Sequence, residues 1–325
     1  MDSPLVSIVV ITYNQEKSLP KVLDCILEQK GNFNFEIIVG EDCSTDRTRD
    51  VLKEYERRFP DVVKPIYQQV NQGILRNFIS AITMAKGKYL AFCDGDDYWR
   101  DDEKLAKQIR VLKEKPDVGL VYSDVIMDSV ITGERYRRSM QNPEPDLFTQ
   151  LLRGNTIVSS TVLMRSELMK YIDWNAFMEQ GFTMEDYPMW LSLSLHTQFY
   201  YLKEPLACYV IERKVVNVKE ASLHALKFDE GTTAIRLYFK RLNPDKTDLT
   251  ENEILDAHNK IGYLAGLNMN DREFALKCVS QMHDRTPYVK RLTTICKSPL
   301  LFGLYQKYRA LTGKKRSALE MYFGM

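Results

Sequence analysis

The stretch Lys88-Tyr-Leu-Ala-Phe-Cys-Asp-Gly-Asp-Asp-Tyr-Trp99 decides the fold. Its apolar run, bounded by Gly87 and Gly95, reads as a strand buried on both faces, so that Asp94, Asp96 and Asp97 emerge together at its carboxyl end. Open α/β sheets place their ligands at that end. Three carboxylates within four residues repel one another unless a cation or a positive partner lies between them, and Mg²⁺ and Mn²⁺ prefer oxygen ligands. The physical reading is a metal site for a phosphate-bearing substrate. The alternative is a solvated acidic turn that caps the next helix, and the remaining sequence decides between the two.

Upstream, Leu5–Ile11 reads as a strand, followed by Thr12-Tyr-Asn14 and a helix with Ser18 and Pro20 in its first turn. Leu19, Val22, Leu23, Ile26 and Leu27 share one helical face, and Gly31 stops it. Phe35–Val39 is a second strand, after which Ser44 or Thr45 can cap a helix that ends at Pro60. A third strand, Val63–Tyr67, leads through Asn71-Gln-Gly73 into a helix over Ile74–Ala85. Downstream of the acids, a helix over Glu103–Lys115 and a strand over Val118–Ser123 continue the alternation. Repeated strand–helix pairs with short links predict a mostly parallel, doubly wound α/β sheet.

The alternation weakens after Asp124. A hairpin is expected over Val125–Arg137, a strand over Thr156–Met164, a helix opening at Glu185, and two strands at Gln198–Leu202 and Leu206–Ile211. Beyond Val218 the pattern becomes helical, with amphipathic segments near Ala221–Leu242, Thr250–Leu267 and Arg272–Met282. The expected organisation is an α/β domain over residues 1–215 and a helical region over 216–325.

At 325 residues, 44% hydrophobic and 27% charged, the composition is that of a globular protein and excludes a collagenous or disordered chain. Its six cysteines are scattered without CxxC pairs, which suits a reducing cytosol and argues against zinc. No basic leader precedes the first strand and no uncharged run reaches bilayer length, so neither a signal peptide nor a spanning helix is expected. From Thr286 onward eight basic residues face one acid, Glu320. That tail carries a formal +7, so a chain with total charge +1 has a body at −6. Pro299–Leu311 places Leu300, Leu301, Leu304, Tyr305, Tyr308 and Leu311 on one helical face. The stretch 299–316 is thus either a helix docked on its own domain or one lying on an anionic membrane surface.

Six blocks, in order, carry a resemblance to a known family: Val6-Ser-Ile-Val-Val-Ile-Thr-Tyr-Asn14, Glu36-Ile-Ile-Val-Gly-Glu-Asp-Cys-Ser-Thr-Asp46, Asn71-Gln-Gly73 with Arg76-Asn77, Ala85-Lys-Gly87, Asp94-Gly-Asp-Asp97 and Glu185-Asp186. Over about the first 210 residues the chain resembles the family 2 glycosyltransferases, inverting enzymes of GT-A fold that use nucleotide-sugar donors. The resemblance implies that Thr12, Tyr13 and Asn14 line the nucleotide pocket, that Asp42 accepts a hydrogen bond from the donor's base, and that Arg76 lies near base or diphosphate. Asn14 as a simple turn former and Arg76 paired with a local carboxylate are the plainer readings. Within the acid cluster it implies one acid at the ribose hydroxyls and another on a Mg²⁺ or Mn²⁺ ion. Asp96 is expected on the metal, with Asp94 and Asp97 close by as ribose ligands or as groups behind the metal's own ligands and Asp97 also a metal candidate; the sequence leaves the division among the three open. Asp186 matches the general base, and Glu185 is the alternative.

The resemblance further implies a UDP- or GDP-type donor, a glycan or lipid-linked acceptor, surface polysaccharide synthesis, and a cytoplasmic location, including the cytoplasmic face of a membrane. It departs after Cys208-Tyr-Val-Ile211, where many relatives carry an Arg and a His and this chain has Val210 and Glu212. Glu212 as an ion ligand and Arg213 or Lys214 as substitute charge stand against a plain loop. Two rivals remain. A sugar nucleotidyltransferase would show a glycine-rich phosphate loop after the first strand, which Thr12-Tyr-Asn14 is not. An inactive nucleotide-sugar-binding scaffold would lack the acids at 96 or 186, and both are present.

Overall fold

The computed structural model describes residues 4–130, 132–140, 142–143, 145–211 and 217–312. Two compact units divide the chain, one formed by Met1–Leu151 with Asn155–Glu212, the other by Leu152–Gly154 with Arg213–Met325. Glu212, Arg213 and Lys214 lie outside the described residues, as does the tail from residue 313, including Lys314, Lys315 and Arg316.

The first unit opens with β1 (Val6–Thr12), α1 (Leu19–Leu27), β2 (Phe35–Glu41), α2 (Thr48–Arg58), β3 (Val63–Tyr67), α3 (Ile74–Ile82) and β4 (Tyr89–Asp94). It continues through β5 (Tyr98–Trp99), α4 (Lys104–Glu114), β6 (Val118–Ser129), β7 (Arg135–Arg138), α5 (Leu147–Arg153), β8 (Leu163–Arg165), α6 (Trp174–Glu179), α7 (Asp186–Ser194) and β9 (Gln198–Ile211). The strands form one sheet in the order β3-β2-β1-β4-β8-β6-β9-β5, with β7 on β6. β1 to β4 pair in parallel, as does β6 with β9, whereas β5, β7 and β8 run antiparallel to their neighbours. Both faces of the parallel block are covered. Val6, Ile8, Val9 and Val10 of β1 are therefore all buried, as are Tyr89 to Cys93 of β4.

Four local expectations are corrected. Neither Ser44 nor Thr45 caps α2: the N-cap position is Arg47, without a side-chain cap bond, the Thr48 N–H goes to Asp46 Oδ1 at 2.9 Å, and Ser44 holds Asn14. The stretch Thr156–Met164 is not one strand: Ser159–Thr161 form a 3₁₀ turn, tied by the Thr161 hydroxyl to the Val158 carbonyl at 2.7 Å, and only β8 is extended. The predicted pair of strands after Gln198 is a single 14-residue β9. Its polar interruption Lys203-Glu204 is absorbed as a bulge, where the register moves from Ser123↔Leu202 to Asp124↔Pro205. Finally, β6 runs unbroken to Ser129, so the hairpin return is β7 alone.

The second unit is helical: α8 (Val218–Leu242), α9 (Glu251–Met269), α10 (Arg272–Gln281), α11 (Pro287–Lys297) and α12 (Pro299–Leu311). A full capping box of Thr250 and Glu253 starts α9, and left-handed Asn270 ends it. α9 and α10 pack closely enough that a Cβ on Gly266 would meet the Ala275 backbone N at 2.8 Å. Tyr263, Leu267, Val279, Val289, Leu292, Cys296 and Phe302 form its core. Among the described residues no helix is long and apolar enough to cross a membrane.

Candidate active site

Strand register assembles the site. β1 is central, pairing Thr12 with Glu41 on one side and Ile11 with Asp94 on the other. The carboxyl ends of three strands therefore present Thr12-Tyr13, Glu41-Asp42 and Asp94-Gly95 side by side. Gly95 is required there: a Cβ on it would sit 2.9 Å from Thr12 Oγ1. Thr12 itself is buried with an unpartnered hydroxyl, and Tyr13 is 44% exposed.

The loops after β1 and β2 hold one another. Asn14 takes a left-handed φ of 55°, donates its N–H to Ser44 Oγ at 3.0 Å, and accepts the Thr45 N–H at 2.8 Å on Oδ1. It is a clamp between the β1 and β2 loops. Glu41 is fully buried; its carboxylate accepts the Ser44 N–H at 2.6 Å and pairs with Arg49 at 2.5 Å. Asp42, also buried, accepts the N–H groups of Gln72 at 2.6 Å and Gly73 at 2.9 Å, one on each oxygen, while its own N–H reaches the Thr12 carbonyl at 3.0 Å. Those bonds seat the start of α3 beside β2, and Arg76 stands in its first turn, exposed and without an ion pair among the described residues.

Five carboxyls gather on the other side of β4. Burial, and then the charges of Asp96 and Asp186, lift Asp94 to about 7 despite a 3.3 Å hydrogen bond from the Ser159 hydroxyl. Asp97 is 2% exposed and pushed well above the carboxylate range by burial and by Asp94 and Asp96. Its Oδ1 accepts the Val210 N–H of β9 at 3.0 Å, and its Oδ2 has no hydrogen-bond partner. Glu185 caps α7 without a side-chain bond, and burial together with Asp186 and Asp94 raises it strongly. Burial lifts Asp186 to about 6, opposed by the Tyr187 N–H at 2.6 Å and the Asn155 amide at 3.3 Å.

Tyr209 on β9 joins this group. Burial and the charges of Asp97, Asp96, Asp94 and Asp186 all hold its phenol protonated. Sequence reading missed it because attention fell on the absent Arg and His beside it; its alternation with buried Cys208 on the strand was the available signal. Asn155 and Ser159 were equally invisible, since they arrive from a loop about sixty residues past the acids. Trp99 is structural, its indole N–H bonded to the Ser160 carbonyl at 3.0 Å.

The acids suit a hard divalent cation: all donors are oxygen, they repel one another, and Asp97 keeps a buried oxygen unpaired. Among the described residues no group of three or more His, Cys, Asp or Glu side chains is placed to hold a metal ion by itself.

A mixed, mostly parallel sheet with acids clustered at the carboxyl ends of its strands is the GT-A type fold that the sequence resemblance implies. Comparison with known proteins fixes the family: the glycosyl transferase family 2 profile matches residues 7–172, and the chain belongs to that family. It is 31% identical over 194 residues to the Bacillus subtilis protein provisionally assigned as teichuronic acid biosynthesis glycosyltransferase TuaG, covering 58% of this chain and 72% of TuaG. It is 36% identical over 168 residues to an uncharacterized protein of Mycobacterium tuberculosis, covering 50% of this chain; at 47% of that protein, the match spans about half of it. In three dimensions it resembles S. aureus TarS 1-349 in complex with UDP (TM-score 0.56, 18% identity, 98% of this chain and 92% of the other). It also resembles the mannosyltransferase PcManGT from Pyrobaculum calidifontis in complex with GDP-Man and Mn²⁺ (TM-score 0.56, 16% identity, 99% and 86%). At these identities the structural likeness speaks for the fold alone.

Proposed function

We propose that the protein transfers a sugar from a nucleoside diphosphate to a hydroxyl of a glycan or lipid-linked acceptor, inverting the anomeric centre, in surface polysaccharide synthesis. The observation that carries this reading is the gathering of Glu185 and Asp186, at the start of α7, with Asp94, Asp96 and Asp97, at the end of β4, in a family 2 chain: burial and mutual charge raise Glu185 and Asp186 alike, Asp186 to about 6. Buried acids perturbed together in this way mark functional sites. Asp186 is ionised at neutral pH and takes the acceptor's proton as that hydroxyl attacks the sugar. The C–O bond to the diphosphate breaks on the opposite face, and the diphosphate leaves with the bonding pair. With a single displacement and one base, the configuration inverts.

Thr12, Tyr13, Asn14 and Asp42 line the nucleoside side of this reading, with Arg76 at the diphosphate and Asp94 at the ribose. Asp96 and Asp97 would hold Mg²⁺ or Mn²⁺, which when bound neutralises charge on the leaving diphosphate. TuaG's described role in teichuronic acid synthesis, and the UDP and GDP-Man of the two structural neighbours, support the donor and polymer classes. Six unpaired cysteines suit a cytoplasmic setting. The test is Asp186→Asn, assayed by transfer from UDP- and GDP-sugars and by nucleotide binding. Loss of transfer with donor binding kept supports the reading; full activity would overturn it.

A further inference from the structure

α12 is amphipathic the wrong way round for a helix that only completes its own core. Its docked side is i, i+3, i+4, i+7: Phe302 is 5% exposed, Tyr305 packs on the core of α9 to α11, Gln306 donates to the Leu267 carbonyl at 2.6 Å, and Arg309 donates to Asn268 at 2.8 Å. Those bonds fix the rotation of the helix. The leucine side is left outward, with Leu300 at 73%, Leu304 at 55%, Tyr308 at 51% and Leu311 at 87% exposure. An ordinary surface helix buries that side.

The exposed charges that α11 and α12 themselves carry have one sign. Lys290, Arg291, Lys297 and Lys307 are exposed, and no acid occurs between Thr286 and Thr312. A second copy of the chain seated on the face by two-fold symmetry would bring these cations against one another, which disfavours it. An anionic lipid headgroup layer supplies both the missing charge and an apolar interior for the leucines.

We propose that the leucine face of α12, together with the exposed cations Lys290, Arg291, Lys297 and Lys307 of α11 and α12, seats on the surface of an anionic bilayer without crossing it. The inference rests on the helical unit alone and does not depend on the sugar-transfer reading. It is tested on the full chain by co-sedimentation with vesicles of phosphatidylcholine alone or with phosphatidylglycerol, at low and high salt. Two variants, Leu300→Ser/Leu304→Ser/Leu311→Ser and Lys297→Glu/Lys307→Glu, change only exposed side chains, and circular dichroism checks their fold. Binding should be at least about tenfold stronger with phosphatidylglycerol, fall with salt, and drop about tenfold in each variant. No binding to phosphatidylglycerol vesicles, or binding indifferent to the leucine variant, overturns the proposal. So does a dimer seen by light scattering that the leucine variant dissociates while vesicles bind neither form.

Discussion

The Asp42 carboxylate straddles the Gln72–Gly73 turn, each oxygen taking one backbone N–H, so that a residue expected only at the donor base is also the anchor of α3. Removing it leaves two backbone N–H groups, on exposed Gln72 and half-buried Gly73, without this partner, at up to roughly 1 kcal/mol each. Asp42→Ala should therefore lower the melting temperature as well as nucleotide affinity, and Asp42→Asn should recover part of the stability. A variant that loses nucleotide binding with an unchanged melt would make Asp42 a ligand contact alone.

For the pair at the start of α7 the prediction is asymmetric. Burial, and then the charges of Asp186 and Asp94, push Glu185 well above the carboxylate range, and an uncharged amide of the same shape suits that environment. Glu185→Gln should keep transfer within a few-fold, whereas Asp186→Asn should lose on the order of 10²–10⁴ in kcat. Steady-state rates of both variants decide it, and the reverse pattern would make Glu185 the base.

Asp186 also sets a pH dependence. Lifted to about 6 by burial, it is protonated below that pH and ionised above it. Transfer measured as kcat/KM should rise through pH 6 and level off above, because only the ionised carboxylate accepts the proton. A profile flat across that range would remove Asp186 from the role.

Stability should run the other way. Asp94, Asp97, Glu185 and Asp186 all have folded values raised above those of the unfolded chain, so between the ordinary carboxylate range near ~4 and about 7 the folded state holds protons that the unfolded state releases. The stability these acids contribute is present in acid and is lost as pH rises through their folded values. The melting temperature of the metal-free protein should fall across this window, by roughly 2–4 °C per kcal/mol for a unit of this size. Mn²⁺ should restore more at mildly alkaline than at mildly acidic pH; an equal effect at both would argue against the acids as its site.

How much of this could be read in advance follows from the range of each interaction. β1, β3 and α1 were legible because apolar periodicity is local, and Asp94-Gly-Asp-Asp97 was legible because its acids are contiguous. Tyr209, Asn155 and Ser159 were not, since β9 and the 156–161 turn reach the acids only through sheet pairing distant in sequence. Asn14 and Asp42 were singled out by family likeness, whereas their loop-clamping bonds belong to tertiary contact. The bulge at Lys203-Glu204 misled the strand count because a polar pair reads as a turn when its partner strand is unknown.

The division of labour between Asp96 and Asp97 can be separated by stability. Asp97 accepts the Val210 N–H and so joins the acid turn to β9, while its second oxygen is buried and unpaired. Asp97→Ala would strand the Val210 donor and should cost roughly 1–3 kcal/mol. Asp97→Asn can still accept that hydrogen bond, so its melt should stay close to wild type while the metal response weakens by about 10–100-fold in affinity, the usual penalty for losing a group that supports a metal ligand. Asp96→Ala lacks that link to β9 and should leave the fold intact while abolishing the Mn²⁺-dependent rise in melting temperature with UDP or GDP. Thermal titrations of the three variants with Mn²⁺ and nucleotide distinguish the roles. A full metal response in Asp96→Ala together with none in Asp97→Asn would assign the ion to Asp97 instead.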